Sequence, residues 1–363
     1  MNLPQSLTPR REDAGFTLLE LLVAAVLTAL LAAVVLAVVS AVMNHWNRSA
    51  GRLGAMAQAQ LALDQLAQDL EGAIFRADGN VWLAVTVLPD TGLSGQWKTA
   101  AVTAQGKPGN THPRTLNLAA PSLEEARFGV AGVWLRFFTT KPDTNTSAAD
   151  LSAPVAVGYQ IIRQNVTSSP TSEQRYLLFR AEVRRMRTTG GSPGTFEAGY
   201  NLDPAATPAT PYMTPSGTAG DPGNLLRPPL GAALADNVID FSVRLYRREG
   251  GDLRLIFPAR PAARDTSPVN GVLSNAAPPA METQHLASGT TPNASDYYRH
   301  AFPDVAEVMI RVLTDEGARL IAAFEAGRLQ PPAGVTTADY WWTLAEAHSQ
   351  VVIRRIAILA RPI

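Results

Sequence analysis

The sequence predicts an α+β protein: one long N-terminal helix, apolar all round and then amphipathic, packed on an antiparallel β-rich head with long loops. Three observations carry this. Residues 16–43 (FTLLELLVAAVLTALLAAVVLAVVSAVM) hold no Gly or Pro, and Glu20 is their sole ionisable side chain. Residues 44–76 lack Pro, and Met56, Ala59, Leu63, Leu66, Leu70 and Ala73 recur at alternating spacings of three and four. Downstream, short alternating apolar segments are divided by stretches rich in Gly, Pro and Thr.

Composition narrows the class. The chain has 363 residues, of which 17% are charged, with 27 Gly and 27 Pro. That balance suits a loop-rich β head better than a helical bundle. The net charge is zero, so no global field draws in nucleic acid or anionic lipid. Absence of cysteine removes disulfides, thiol catalysis and Cys-ligated metals. Stability must then come from burial, for which the head is long enough.

The first element is a leader, residues 1–15 (MNLPQSLTPRREDAG). Arg10 and Arg11 beside the apolar run hold this end in the cytoplasm; the neighbouring Glu12 and Asp13 weigh little. Residues 16–43 follow as a transmembrane helix. At about 1.5 Å per residue they reach roughly 40 Å, enough to cross a bilayer core with tilt. A conventional signal peptide has a shorter apolar core and a small-residue cleavage site, for which Val39 and Ala41 serve poorly. Glu20 is the anomaly, since a carboxylate within lipid costs about 2.5 kcal/mol or more at the centre and marks function.

Gly15-Phe16-Thr17-Leu18-Leu19-Glu20, after a short basic leader and before an unbroken apolar helix, resembles the cleavage and methylation motif of type IV pilins and type II secretion pseudopilins. The resemblance implies that a prepilin peptidase cuts between Gly15 and Phe16, and that Phe16 becomes the N-methylated mature terminus. It implies that Glu20 pairs with the terminal amine of a neighbouring subunit during assembly. A carboxylate and an ammonium that are each expensive in lipid become tolerable together. The bland alternative for Glu20 is a single charge snorkelling to the interface.

Residues 44–76 are read as the amphipathic half of the same helix, with Gln58, Gln65, Gln68, Asp69 and Glu71 opposite the apolar stripe. Gly51 and Gly54 are weak points where it bends or melts. The stripe is expected to pack on the chain's own head. Residues 77–363 form that head, with strands expected at Val81–Leu88, Val130–Thr139, Val155–Arg163, Arg175–Met186, Val238–Arg247, Leu253–Phe257, Val305–Leu313 and Gln350–Leu359. Phe241, Val243 and Leu245 point one way, and Asp240, Ser242 and Arg244 the other. Val308, Ile310 and Val312 likewise oppose Met309 and Arg311. Asp315–Ala326 and Ala338–Ala347 read as short helices. Residues 188–235 and 258–303 lack periodicity and read as surface loops. This order of elements looks like the J-type minor pseudopilins and W-type minor pilins, and the larger class C proteins of Verru_Chthon-type cassettes. Many major pilins have a helix-kinking proline where this chain has Ala37, which favours a minor subunit.

Enzymatic chemistry finds little support. Gly190-Gly191-Ser192-Pro193-Gly194 matches the hydrolase nucleophile elbow in letters. The residue after the nucleophile must lend a backbone N–H, and Pro193 has none. His45, His112, His285, His300 and His348 are scattered, so no imidazole metal site is expected. Asp203 and Asp221 lack the spacing of a calcium loop. Arg180, Arg184, Arg185 and Arg187 read as a solvated edge strand. No aromatics interleave them as in nucleic-acid binders. Tyr340, Trp341 and Trp342, like Tyr297 and Tyr298, read as core or loop anchors.

The expectation is therefore a non-enzymatic, single-pass inner-membrane subunit without cofactor or metal, its head periplasmic. Its partners are prepilin peptidase and other minor pilins or pseudopilins, at or near the tip of a fibre. The alternative is a membrane-anchored periplasmic adhesin or binding protein that never polymerises.

Overall fold

The computed structural model describes residues 17–87, 133–140, 154–165, 174–183, 202, 228, 230–257, 284–288, 298 and 300–362. The chain divides into two compact units, Met1–Ala50 and Gly51–Ile363. Helix α1 (Leu18–Glu71) begins in the first and ends in the second.

In the first unit, Leu18–Met43 is long and apolar enough to cross a membrane, and its side chains are exposed along the whole stretch. Only a helix or a closed barrel satisfies backbone groups in lipid. The hydroxyl of Thr28 is satisfied in the same way, donating to Ala24 O at 2.7 Å.

In the second unit α1 passes through Gly51 and Gly54 without a break, contrary to the expected weak points. Ala59, Leu63, Leu66 and Leu70 of the expected stripe are buried, joined by Ala55, Ala62 and Ala67, whereas Met56 is exposed. The helix stops where it meets a strand. A Cβ on Gly72 would lie 2.8 Å from both Thr139 Oγ1 and Thr140 O, so glycine is what permits the approach. The threonines in turn cap the helix end. Thr139 Oγ1 donates to Asp69 O at 2.7 Å, and Thr140 N donates to Gly72 O at 2.9 Å. Gly72→Ala is expected to cost about 1–3 kcal/mol by overpacking. Gly54→Ala, with nothing within 4 Å of its Cβ, should gain up to about 1 kcal/mol. Thermal unfolding of the two variants checks the contrast.

The strands are β1 (Ile74–Phe75), β2 (Leu83–Val87), β3 (Val133–Thr140), β4 (Pro154–Asn165), β5 (Gln174–Val183), β6 (Ala233–Asp236), β7 (Val238–Glu249), β8 (Asp252–Phe257), β9 (Gln284–Ala287), β10 (Val305–Leu313), β11 (Ser349–Ala357) and β12 (Arg361–Pro362). Two antiparallel sheets run in the orders β6-β5-β4-β3-β2-β9 and β11-β10-β7-β8, and β1 pairs parallel with β12. The β7–β8 hairpin turns on Gly250 and Gly251, whose φ values of 60° and 103° suit glycine. Helices α2 (Asp315–Glu325) and α3 (Thr337–Ala347) lie between β10 and β11 in the chain.

Two expectations need correction. Strand β6 begins inside residues 188–235 and β9 lies within 258–303, the two segments read as loops. Both are four residues long, too short for alternation to show, and they close the two ends of the six-stranded sheet. On β7 and β10 the alternation is as expected, but Asp240, Ser242, Arg244 and Met309 are buried as well. The polar row survives burial by pairing: Glu307 meets Arg244 Nη1 at 3.5 Å and Arg355 Nε at 2.7 Å.

One hydrophobic core joins the C-terminal half of α1 to both large sheets. A second gathers α2 and α3 on Tyr176, Ile239 and Leu313. Trp341, Trp342 and Tyr298 are buried, as expected of anchors, while Tyr297 lies outside the described residues. The N-cap of α2 is Thr314, whose hydroxyl accepts from Gly317 N at 3.2 Å.

Candidate functional site

The start of α1 is built by its own sequence. Thr17 N and Thr17 Oγ1 both donate to Glu20 Oε2 at 3.0 Å, and Glu20 N donates to Thr17 Oγ1 at 3.3 Å. This is a reciprocal capping box: the hydroxyl satisfies one orphan donor of the first turn and the carboxylate reaches back to another. The negative charge also sits where the helix dipole favours it. Oε2 takes both bonds from Thr17, which leaves Oε1 outside the box. Glu20 is exposed. Sequence inspection singled out Glu20 but missed the box, although Thr17-x-x-Glu20 spells its signature. Gly15 and Phe16 lie outside the described residues.

At the other end of α1 a second constellation ties helix to head. Asp69 was expected on the solvent side and is instead 3% exposed. It borders the apolar stripe, next to Leu70 and one turn after Leu66, so packing against β4 and β5 draws it in. Arg180 Nε and Nη2 bind its two oxygens at 2.6 and 3.0 Å, a bidentate fork. Tyr159 OH donates to Asp69 Oδ2 at 2.5 Å, and Gln65 Nε2 to Oδ1 at 3.3 Å. Burial and then the Asp69 charge push the Tyr159 hydroxyl well up, so it stays a neutral donor. Burial opposes the charge on Arg180, yet its bonds to Asp69 and Glu182 outweigh it and raise its affinity for the proton. Arg180 is therefore no solvated edge residue. Arg184, Arg185 and Arg187 lie outside the described residues.

Another buried carboxylate, Glu325 of α2, holds the helical pair to the six-stranded sheet. It accepts from Arg163 Nη2 and Tyr176 OH, each at 2.6 Å, and from Trp341 Nε1 at 3.0 Å. Burial raises its pKa despite these donors. The folded carboxyl then holds its proton more tightly than the unfolded one. Its contribution therefore grows as pH falls through the raised folded value towards the ordinary carboxylate value, and is lost as pH rises. Glu325→Gln should abolish this slope, which urea titrations across that acidic window would measure.

None of these groups forms a catalytic set. Among the described residues no group of three or more His, Cys, Asp or Glu is placed to hold a metal ion. His285 and His300 serve structure, through contacts to Ala301 O and Leu286 O, both at 3.0 Å. Residues 190–194, Asp203, Asp221 and His112 lie outside the described residues.

Residues 10–43 match the family model of the prokaryotic N-terminal methylation motif. Comparison with curated proteins and with solved structures finds no match. The matched segment contains the leader arginines, Glu20 and the whole apolar stretch, and stops before the head. The matched motif, set at the start of a long helix with antiparallel sheets packed on that helix's C-terminal half, supports a type IV pilin-like protein.

Proposed function

We propose that this chain is a minor pilin-like or pseudopilin-like structural subunit, akin to the J-type and W-type subunits, and not an enzyme. It is inserted in the inner membrane with its N-terminus cytoplasmic and its head periplasmic. Prepilin peptidase removes residues 1–15, and Phe16 becomes the N-methylated terminus of a chain made of a transmembrane helix (16–43), an amphipathic helix (44–76) and a head (77–363). The matched methylation motif over residues 10–43 carries this reading.

The state of Glu20 supports the assembly step. Its Oε2 is occupied by Thr17, and Oε1 remains to accept an ammonium from the freed amine of another subunit. The terminal amine would arise at Phe16, one residue before Thr17. Apolar helices then pack, and the Glu20 pairing sets their register. A head as large as residues 77–363 repeats poorly along a tight fibre, which argues for a place at or near the tip of a type II secretion or type IV pilus-like fibre.

Co-expression with a prepilin peptidase tests the processing step. The expected result is loss of the fifteen-residue leader from the wild type, and retention of it when Gly15 is replaced by a bulky residue. An anchored adhesin or binding protein that never polymerises would keep its leader in both.

A further inference from the structure

Among the described residues strand β11 is an edge of the four-stranded sheet, nine residues long, and pairs with β10 alone. Its register is constant from Val305↔Ala357 to Leu313↔Ser349. Just beyond each end the ladder bonds are Ile358 N to Asp304 O and Thr314 N to His348 O, both at 2.9 Å. Hydrogen-bonded pairs alternate with non-bonded ones in an antiparallel ladder. The even residues of β11 therefore bond to β10, and Val351, Ile353, Arg355 and Ala357 turn their N–H and C=O groups outward. Ser349 O is taken by Gln350 Nε2 at 3.0 Å, which closes one end of the open row.

Natural edges are blunted by short length, proline or free charges. This one has neither shortness nor proline, and its two charges are engaged within the chain. Arg354 pairs with Asp64 of α1, and Arg355 with Glu307 of β10. Between them and the strand's start, Val351 and Ile353 are 42% and 41% exposed. The other edges differ, and β6 and β9 are only four residues long. Just past β9, Ser288 N donates to His300 O at 3.1 Å, and His300 and Ala301 contact Leu286 O and His285 of the strand. On β8, Arg254 and Ile256 have further partners.

We propose that β11 is a docking edge for an extended segment of a second protein, added as a fifth strand. The charge pattern states its chemistry. Residues 349–363 contain Arg354, Arg355 and Arg361 and no acid. Each of Arg354 and Arg355 uses one nitrogen in its ion pair, and their side chains stay 42% and 61% exposed. The incoming segment is apolar beside Val351 and Ile353 and acidic beside the arginines; main-chain bonds give affinity and the side chains give specificity. A second copy of β11 would bring arginines where carboxylates are wanted. The inference is independent of leader cleavage.

The test uses the full-length chain in detergent and a capped synthetic peptide, glutamate and threonine in its first half, valine and threonine in its second. Hydrogen exchange at Val351, Ile353 and Arg355 should slow on adding peptide, while Val352 and Arg354, already bonded to β10, stay unchanged. Ile353→Pro removes one outward N–H and no bond to β10, and should weaken binding about tenfold, the worth of one or two hydrogen bonds. Protection of Val352 and Arg354 in that variant reports that the sheet is intact. Unchanged exchange of the three outward amides at millimolar peptide overturns the proposal. So does equal binding of a peptide with lysine for glutamate, or a peptide-free dimer in sedimentation that already protects these amides.

Discussion

Asp69→Ala lowers the stability of the head by about 3 kcal/mol, because the mostly buried Arg180 guanidinium loses its bidentate partner and keeps only Glu182. The same substitution leaves Tyr159 OH without its acceptor. A second aspartate on the same helix provides the control. Asp64 also pairs with a strand arginine, Arg354, but their side chains are 66% and 42% exposed. An exposed pair contributes about 0–1 kcal/mol, so Asp64→Ala should be nearly silent. Equilibrium denaturation of both variants decides whether burial, and not charge pairing as such, holds α1 to the sheet. Equal losses from the two would sink that account.

Glu20→Ala leaves leader removal largely intact and sharply reduces incorporation into a fibre. The capping box offers a competing explanation, since its loss weakens the helix start by about 1 kcal/mol. Thr17→Val separates the two. It removes the hydroxyl that caps the helix and keeps the carboxylate, so incorporation should survive. If both variants fail alike in a fibre-shearing assay, the role of Glu20 is local capping and the pairing argument falls.

Much of the architecture was legible in residue order. The apolar run, the stripe of α1 and the strand pairs around Phe241 and Val308 carry periods of 3.6 and 2 that survive folding. What stayed hidden depends on contacts between distant residues. Asp69 sits beside apolar neighbours, and nothing local says that Arg180, 111 positions later, will draw it inward. Strands β6 and β9 are too short to show a pattern, and they exist because longer strands offer them an edge. Gly72 looks like an ordinary helix end until Thr139 and Thr140 arrive against it. At the N-terminus the chemistry was legible because it is local: Thr17 and Glu20 are three positions apart, and no tertiary partner is needed to place them.

The central claim is that the helix start becomes a new N-terminus whose neighbour's carboxylate awaits it. Mass spectrometry of the protein purified from its native host reads this directly. The account predicts a chain beginning at Phe16 with one added methyl group on its amine. A chain still beginning at Met1, or trimmed beyond Ala41, contradicts it.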